Sequence, residues 1–260
     1  MAIRGQWGIG RESPCSYLPA QTARLECLTL DVVDEPEFEA LLEQGYRHFG
    51  TQFFRPFCRT CGACIPLRVS TAGFRQSRTV RRALARAAHL RFEVSSPQPG
   101  AAAHRLYCLH KERFRDTNPE TPTTSYSDFV AAFYHPYPFS YVLAIRDGQR
   151  LVAVSHFDLT AHCLSAVYCY YDPADLACSP GRLALYYQIR LAQERAIPYV
   201  HLGYYVAANC HMRYKARFRP SQVLIGAGQW VPFVDGSGHC ALTPEQLARG
   251  FHPPGRPRLG

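Results

Sequence analysis

No stretch of this 260-residue sequence approaches the roughly 18 consecutive apolar residues that a membrane span needs. Met1 to Arg11 mixes charge with glycine and lacks the apolar run of a signal peptide, so a cytoplasmic protein without a membrane partner is expected. There is no Gly-rich Walker loop, which removes the usual sign of an ATP site. No internal repeat and no long low-complexity linker interrupts the chain. Acid is missing altogether between Arg68 and Arg91, where seven arginines stand (Arg68, Arg75, Arg78, Arg81, Arg82, Arg86 and Arg91).

What is present is a globular composition. Apolar residues make up 47% of the chain, enough for one large domain or two small ones. The net charge of +9 is localised, with a second basic block at Arg213, Lys215, Arg217 and Arg219. Tyr204, Tyr205, Tyr214 and Phe218 interleave with that block. A solvated helix face is the ordinary reading of one charge run. Two acid-free blocks, one threaded with aromatics, point to a polyanion with unpaired bases.

The eleven cysteines are an odd count. In a reducing compartment they read as metal ligands, core residues or reactive thiols rather than disulfides. Cys58, Cys61 and Cys64, each two residues apart, form a three-thiol set that lacks one ligand for a tetrahedral zinc site or an iron–sulfur cluster. Packed, reduced thiols are the alternative. Cys108, Cys163 and Cys169 fall in expected strands or helices and read as core.

Phe38, Leu41 and Leu42 recur on one face of an expected helix over 35–46. A short aromatic strand follows at 51–57, and the spacing of Arg75, Arg78, Arg82 and Arg86 puts them along one side of a helix, with Val80, Leu84 and Ala87 inward. The segment 95–103, rich in Ser, Pro and Gly, is the best domain boundary. A helix is expected from His104 to Arg115. Next come two strands joined at Asp147–Gly148, a third over 163–171, a helix over 181–196, a strand over 198–206, a helix over 208–217 and a last strand over 221–227. A helical crossover between the third and fourth strands makes that pair parallel. The order β-β-β-α-β-α-β is that of an N-acetyltransferase-like (GNAT) core. The expectation is therefore an α/β (α+β) fold: an N-terminal domain over 1–95 with the cysteines and the basic helix, a GNAT-like catalytic domain over 100–235, and a flexible tail over 236–260.

Several motifs resemble the bacterial aminoacyl-tRNA–protein transferases, leucyl-transferring relatives of the eukaryotic arginyl-tRNA–protein transferases. They are C-S-Y-L-P-A-Q-T-A-R at 15–24, F-R-P-F-C-R-T-C-G-A-C-I-P-L-R at 54–68 and F-R-Q-S-R-T-V-R-R at 74–82. L-S-A-V-Y-C-Y-Y-D-P at 164–173, P-Y-V-H-L-G-Y-Y-V at 198–206 and C-H-M-R-Y-K-A-R-F-R-P at 210–220 continue the match to about residue 235. The chain departs from the family at Pro180, where leucine is usual, at His211, where lysine is usual, and at Gln222, where an acid is common. The resemblance implies transfer of an amino acid, usually leucine, from tRNA to the α-amine of proteins that begin with Asp or Glu, as a degradation signal; arginyl transfer is the other activity in the family. It also names Cys15 as a fourth thiolate beside Cys58, Cys61 and Cys64, for zinc or an iron–sulfur cluster.

An aminoacyl ester is already activated, so neither ATP nor CoA is expected. The oxyanion needs donors, the acidic acceptor needs a cation, and the terminal adenosine needs an aromatic platform. These demands select Tyr170, Tyr204 and Lys215 as catalytic candidates and Asp172, Tyr205, His211, Met212 and Tyr214 as substrate-binding candidates. Arg75, Arg78, Arg82, Arg86, Arg213 and Arg217 are the tRNA-binding candidates. Core packing is the ordinary alternative for each tyrosine, and a turn is the alternative for Asp172. Two rival functions are an acyl-CoA-dependent GNAT N-acyltransferase and a non-catalytic, metal-stabilised RNA-binding protein.

Overall fold

The computed structural model of the chain describes residues 5–112 and 125–255. The expected helix from His104 lies outside the described residues beyond position 112.

The chain begins with a small sheet. β1 (Gln6–Ile9) is followed by the short pair β2 (Ser13–Pro14) and β3 (Thr22–Ala23), then β4 (Leu25–Thr29). Helix α1 (Glu35–Glu43) starts where Asp34 accepts from the Glu37 N–H and Glu37 returns the bond, with Pro36 in the first turn. It buries Phe38, Leu41 and Leu42, as its pattern requires. β5 (Arg47–Phe49) and β6 (Gln52–Pro56) complete an antiparallel sheet ordered β1-β4-β6-β5.

The chain then enters an eight-stranded sheet, thirty residues before the expected boundary. β7 (Ile65–Ser70) is an interior strand of it. Helix α2 (Arg78–Arg86) is capped by Ser77, and β8 (Arg91–Ser95) forms one edge. A domain ending at residue 95 is therefore not what the chain builds, because β7 and β8 are hydrogen-bonded to the strands that follow. The Ser, Pro and Gly at 95–103 mark a strand-to-helix turn within one sheet.

Helices α3 (Ala101–Glu112) and α4 (Tyr126–Phe133) precede the hairpin of β9 (Ser140–Asp147) and β10 (Arg150–Leu159), which turns at Gly148 with φ of 57°. β11 (Cys163–Tyr171), α5 (Pro180–Glu194) and β12 (Tyr199–Tyr205) follow as expected, and α5 makes β11 and β12 parallel. β13 (Ser221–Ile225) and an unforeseen β14 (Gln229–Val234) finish the sheet, in the order β14-β13-β7-β12-β11-β10-β9-β8. The helix expected over 208–217 is only a 3-10 turn at Arg213–Arg217.

Almost all of β10 is buried, since both faces of the sheet are covered. One face packs Leu143, Val152 and Leu164 against Leu183 and Ile189 of α5. The other holds an aromatic cluster of Tyr107, Phe129, Tyr134 and Tyr170. A third core, with Leu28, Phe38, Phe53 and Phe139, joins the small sheet to the large one.

Residues 236–255, expected to be a flexible tail, are folded. They include α6 (Pro244–Ala248), which starts from a capping box at Thr243. Beyond it the Phe251 N–H donates to the Gly62 carbonyl at 2.9 Å and the Phe251 ring is buried. The Arg55 guanidinium donates to the carbonyls of Pro254 and Gly255 at 2.7 and 3.1 Å. Apolar anchors and backbone pairing outweigh the Gly and Pro content.

Candidate active site

The parallel pairing of β11 and β12 lasts only from Cys163–Ser165 against Tyr199–His201, after which the strands part. Beyond β12 the chain turns past Cys210 into the Arg213–Arg217 turn, which faces the start of α5. Together they enclose a cavity of about 350 Å³ lined by Arg182, Tyr205, Cys210, Arg213, Tyr214 and Arg217. No acid lines it. The Arg182 guanidinium lies 5.8 Å from the centre of the Tyr214 ring. Burial pushes the Tyr214 phenol up to about 12, with Arg182 opposing, so at neutral pH it is a neutral donor. Three guanidinium groups and two phenol rings around an open space can hold phosphates and stack a base.

The basic helix reaches this cavity through aromatic packing. Phe74, just ahead of α2, packs on Tyr186 of α5 with ring centroids 6.4 Å apart. Tyr186 packs on Phe218, the residue after Arg217, at 5.0 Å. Arg78, Arg81, Arg82 and Arg86 are exposed, while Val80 and Ala87 are buried and Leu84 packs against the core. Arg75 is corrected: it precedes the helix, and its guanidinium donates to the carbonyls of Ala72 and Phe74 at 3.2 and 3.0 Å. Ser77, two residues later, fixes the helix start.

The structure brings together Tyr205, Tyr214, Arg213 and Arg217 of the expected site and adds Arg182. Lys215 turns inward instead. Its Nζ donates to the Tyr204 carbonyl at 2.8 Å and lies 3.7 Å from Met212 Sδ. Burial lowers its pKa to about 7, and the nearby Arg47 charge acts in the same direction while Cys64 opposes. Arg47, which sequence reasoning missed, reaches from β5 to donate to Ser165 Oγ at 3.0 Å and to the Ala166 carbonyl. His211 is exposed beside Arg213.

Two tyrosines and one acid are corrected. Tyr170 is fully buried in the aromatic cluster, where its hydroxyl meets Tyr134 Oη at 3.2 Å and His156 Nε2 at 3.3 Å. Strand alternation turns it to the face opposite α5, so no substrate reaches it. The Tyr204 hydroxyl donates to the carbonyls of Gly45 and Phe54 and ties the two sheets together. Asp172 accepts from the Ala174 N–H at 2.9 Å and sits 3.5 Å from Arg150, so it forms the turn after β11.

The four thiols share one neighbourhood, with Cys64 near Lys215. Burial raises Cys64 to about 12, and Cys15, Cys58 and Cys61 push in the same direction. Burial likewise raises Cys58, with smaller contributions from Cys61 and Cys15. All four are half-buried and none is in a disulfide. Four gathered soft donors fit zinc or an iron–sulfur cluster in chemistry and in number. Among the described residues no three Cys, His, Asp or Glu side chains form a group that could hold a metal ion as they stand, so ligation requires the sulfurs to close further.

Known proteins resemble both halves of the chain. Residues 13–82 match the model of the arginine-tRNA-protein transferase N terminus, and residues 102–225 match that of its C terminus. A protein from Shewanella sp. (strain MR-7) named aspartate/glutamate leucyltransferase is 33% identical over 226 residues, which are 85% of this chain and 92% of that protein. Its namesake in Pseudomonas fluorescens (strain SBW25) is 36% identical over 221 residues, 84% of this chain and 92% of its own. Among solved structures, the C-terminal domain of a putative lysylphosphatidylglycerol synthetase from Agrobacterium fabrum aligns with a TM-score of 0.41 at 13% identity, covering 64% of this chain and 50% of that one. With both halves matched in order and a third of the residues shared over most of its length, the chain belongs to the arginine-tRNA–protein transferase family.

Proposed function

We propose that this protein transfers leucine from leucyl-tRNA to the α-amine of proteins that begin with Asp or Glu, which marks them for degradation. The observation that carries this reading is the 33% to 36% identity, over some 85% of the chain, to relatives named aspartate/glutamate leucyltransferase. The eight-stranded sheet is read as a GNAT-like core, with the parting of β11 and β12 as its substrate cleft. No described helix is long and apolar enough to cross a membrane, and a cytoplasmic location suits a tRNA donor.

In the reaction the neutral α-amine attacks the leucyl carbonyl carbon. A C–N bond forms, the ester C–O bond to the terminal ribose breaks, and the amine proton ends on the released ribose hydroxyl. The ester supplies the driving force, so the protein's task is positioning and charge stabilisation. Arg182, Arg213 and Arg217 are assigned to the 3′-terminal phosphates, and Tyr205 and Tyr214 to the terminal base. The exposed arginines of α2 take the duplex above it. Cys15, Cys58, Cys61 and Cys64 are assigned to zinc or an iron–sulfur cluster, which when bound would cross-link the loop after β6 to the N-terminal segment.

The deciding experiment incubates purified protein with labelled leucyl-tRNA and peptides beginning with Asp, Glu, Arg or Lys. Product is expected with the first two only. Product from acyl-CoA and none from any charged tRNA would overturn the reading in favour of an ordinary N-acyltransferase.

A further inference from the structure

Arg47 and Lys215 are two interior basic groups in one place with no carboxylate between them. Each is 9% exposed. Among the described residues neither takes part in an ion pair. Asp158, whose charge favours that of Arg47, is already engaged by His48 Nε2 at 2.9 Å and by Ser140 Oγ at 2.8 Å. Taking a charge out of water without a counter-ion costs several kcal/mol, and two like charges side by side cost more. Such a pair is a reason to look for an anion that arrives from outside.

The position of the pair fits a ligand. Arg47 is fastened to β11, through Ser165 and Ala166, just where its pairing with β12 ends. Lys215 is fastened to β12, through the Tyr204 carbonyl. Gly203 lies between them, at a register shift of β12 against β7 and with φ of 75°, a conformation that favours glycine. A Cβ on Gly203 would stand 3.5 Å from Arg47 Nε and 3.7 Å from Lys215 Nζ. Both basic groups therefore flank Gly203 at ordinary contact distance from the place a side chain would take.

We propose that Arg47 and Lys215 form the subsite for the acidic side chain of the acceptor's first residue, an assignment that rests on the leucyl-transfer reading. The carboxylate bridges the two parted strands and places the neighbouring α-amine in the cleft, next to the arginine-lined cavity where the donor ester is held. Asp and Glu are selected together because the cations come from opposite sides and the Lys215 stem is flexible. Asn and Gln, of the same shape but neutral, leave the two buried charges unanswered.

The test compares Asp-initiated and Asn-initiated peptides of otherwise identical sequence, in wild-type protein and in the Lys215→Met and Lys215→Arg variants. In wild type, kcat/KM is expected to favour the Asp peptide by tenfold or more, about what one charge-assisted hydrogen bond supplies. Lys215→Met should bring the ratio close to one and Lys215→Arg should restore most of it. Equal losses on both peptides, with the ratio kept, would overturn the proposal and leave Lys215 as a scaffold of β12. Direct binding of the two peptides without tRNA separates this from the transfer reading. Absence of transfer with a preserved, Lys215-dependent preference for the Asp peptide would break only the latter, and equal binding of both peptides by the wild type would break the subsite.

Discussion

The arginines of α2 and the basic groups around the β11–β12 cleft carry the same charge in different settings, an open helix face and a cavity lined with tyrosines. On α2 they stand in water with no acid nearby, and Arg78 occupies the first helical turn, where the macrodipole disfavours a cation. Around the cleft, Arg182, Arg213 and Arg217 are exposed too but line one cavity with Tyr205 and Tyr214, and Arg47 and Lys215 are nearly enclosed. Water and salt screen the exposed arginines of both groups strongly and the buried pair weakly. The first can only attract a polyanion of any sequence. The second can hold particular atoms at particular places.

If that contrast is right, the largest effect comes from the arginines that line the cavity. Arg213→Ala combined with Arg217→Ala should lower kcat/KM at least about a hundredfold, roughly 3 kcal/mol for two charge-assisted contacts. The loss should be as large with a short leucylated oligonucleotide as with whole leucyl-tRNA, as steady-state transfer assays would report. Removing Arg78 and Arg82 should leave the short donor unaffected. Equal sensitivity of the short donor to both pairs would erase the distinction.

Next in size is the metal. The thiols stand beside the enclosed cations, since Cys64 favours the Lys215 charge. Anaerobically purified protein should carry zinc or an iron–sulfur cluster, measured by elemental analysis and visible absorption. Cys61→Ser should abolish it and lower the Tm by roughly 10 °C, the shift that about 3 kcal/mol gives in a chain of this size. A metal-free wild type prepared in this way would leave the thiols as packed side chains.

Acid offers a third test of the dry interior. His156 is buried in the aromatic cluster and burial lowers its pKa to about 3. His201 is held well below the ordinary value by burial first and then by Arg47 and Arg68. Both folded values lie below the unfolded one near 6.5, so between them the unfolded chain binds more protons. Stability is therefore full above pH 6.5 and is lost as the pH falls from there toward 3. At pH 5 the loss is about 2 kcal/mol for His156, with His201 adding in the same direction, read from denaturant midpoints at pH 7 and pH 5. His156→Phe should flatten the profile, and an unchanged profile would mean that the histidine takes up its proton without unfolding.

Legibility in the sequence followed the range of the forces involved. The turn at Gly148, the buried face of α1, the bounds of β11 and the crossover through α5 follow from residue pattern alone. The membership of β7 in the large sheet depends on pairing with β12 and β13, more than 120 residues away, and no local pattern marks it. The same holds for the site. Arg213, Arg217, Tyr205 and Tyr214 could be grouped because they share one turn and the strand before it. Tyr170 and Tyr204 differ from Tyr205 only in the face toward which their strand turns them. Arg182 carries no local signal, and its value comes from the residues across the cavity. Arg47 lies in another sheet altogether.

The smallest effect is expected from α2, and it is the cleanest probe of the open helix face. Arg78, Arg82 and Arg86 follow one another at helical spacing, with Val80 and Ala87 turned into the core. The helix is held by Ser77, whose hydroxyl accepts from the Val80 N–H, so replacing the exposed arginines removes charge and leaves the cap. Arg78→Ala with Arg82→Ala also relieves an unfavourable meeting of Arg78 with the helix dipole, so the helix should be kept or slightly strengthened. An A-form stem presents phosphates and a deep groove that side chains cannot read, so each lost contact is electrostatic. Two lost contacts should flatten the slope of log affinity against log salt by about two and weaken binding about tenfold at moderate salt. Titrations at four or five salt concentrations would measure both. The Asp-over-Asn preference should not move, because the acceptor subsite is a separate pair of basic groups. A folded double variant with an unchanged slope would return α2 to the status of an ordinary solvated face, and the difference between the two groups of cations would then be one of exposure without function.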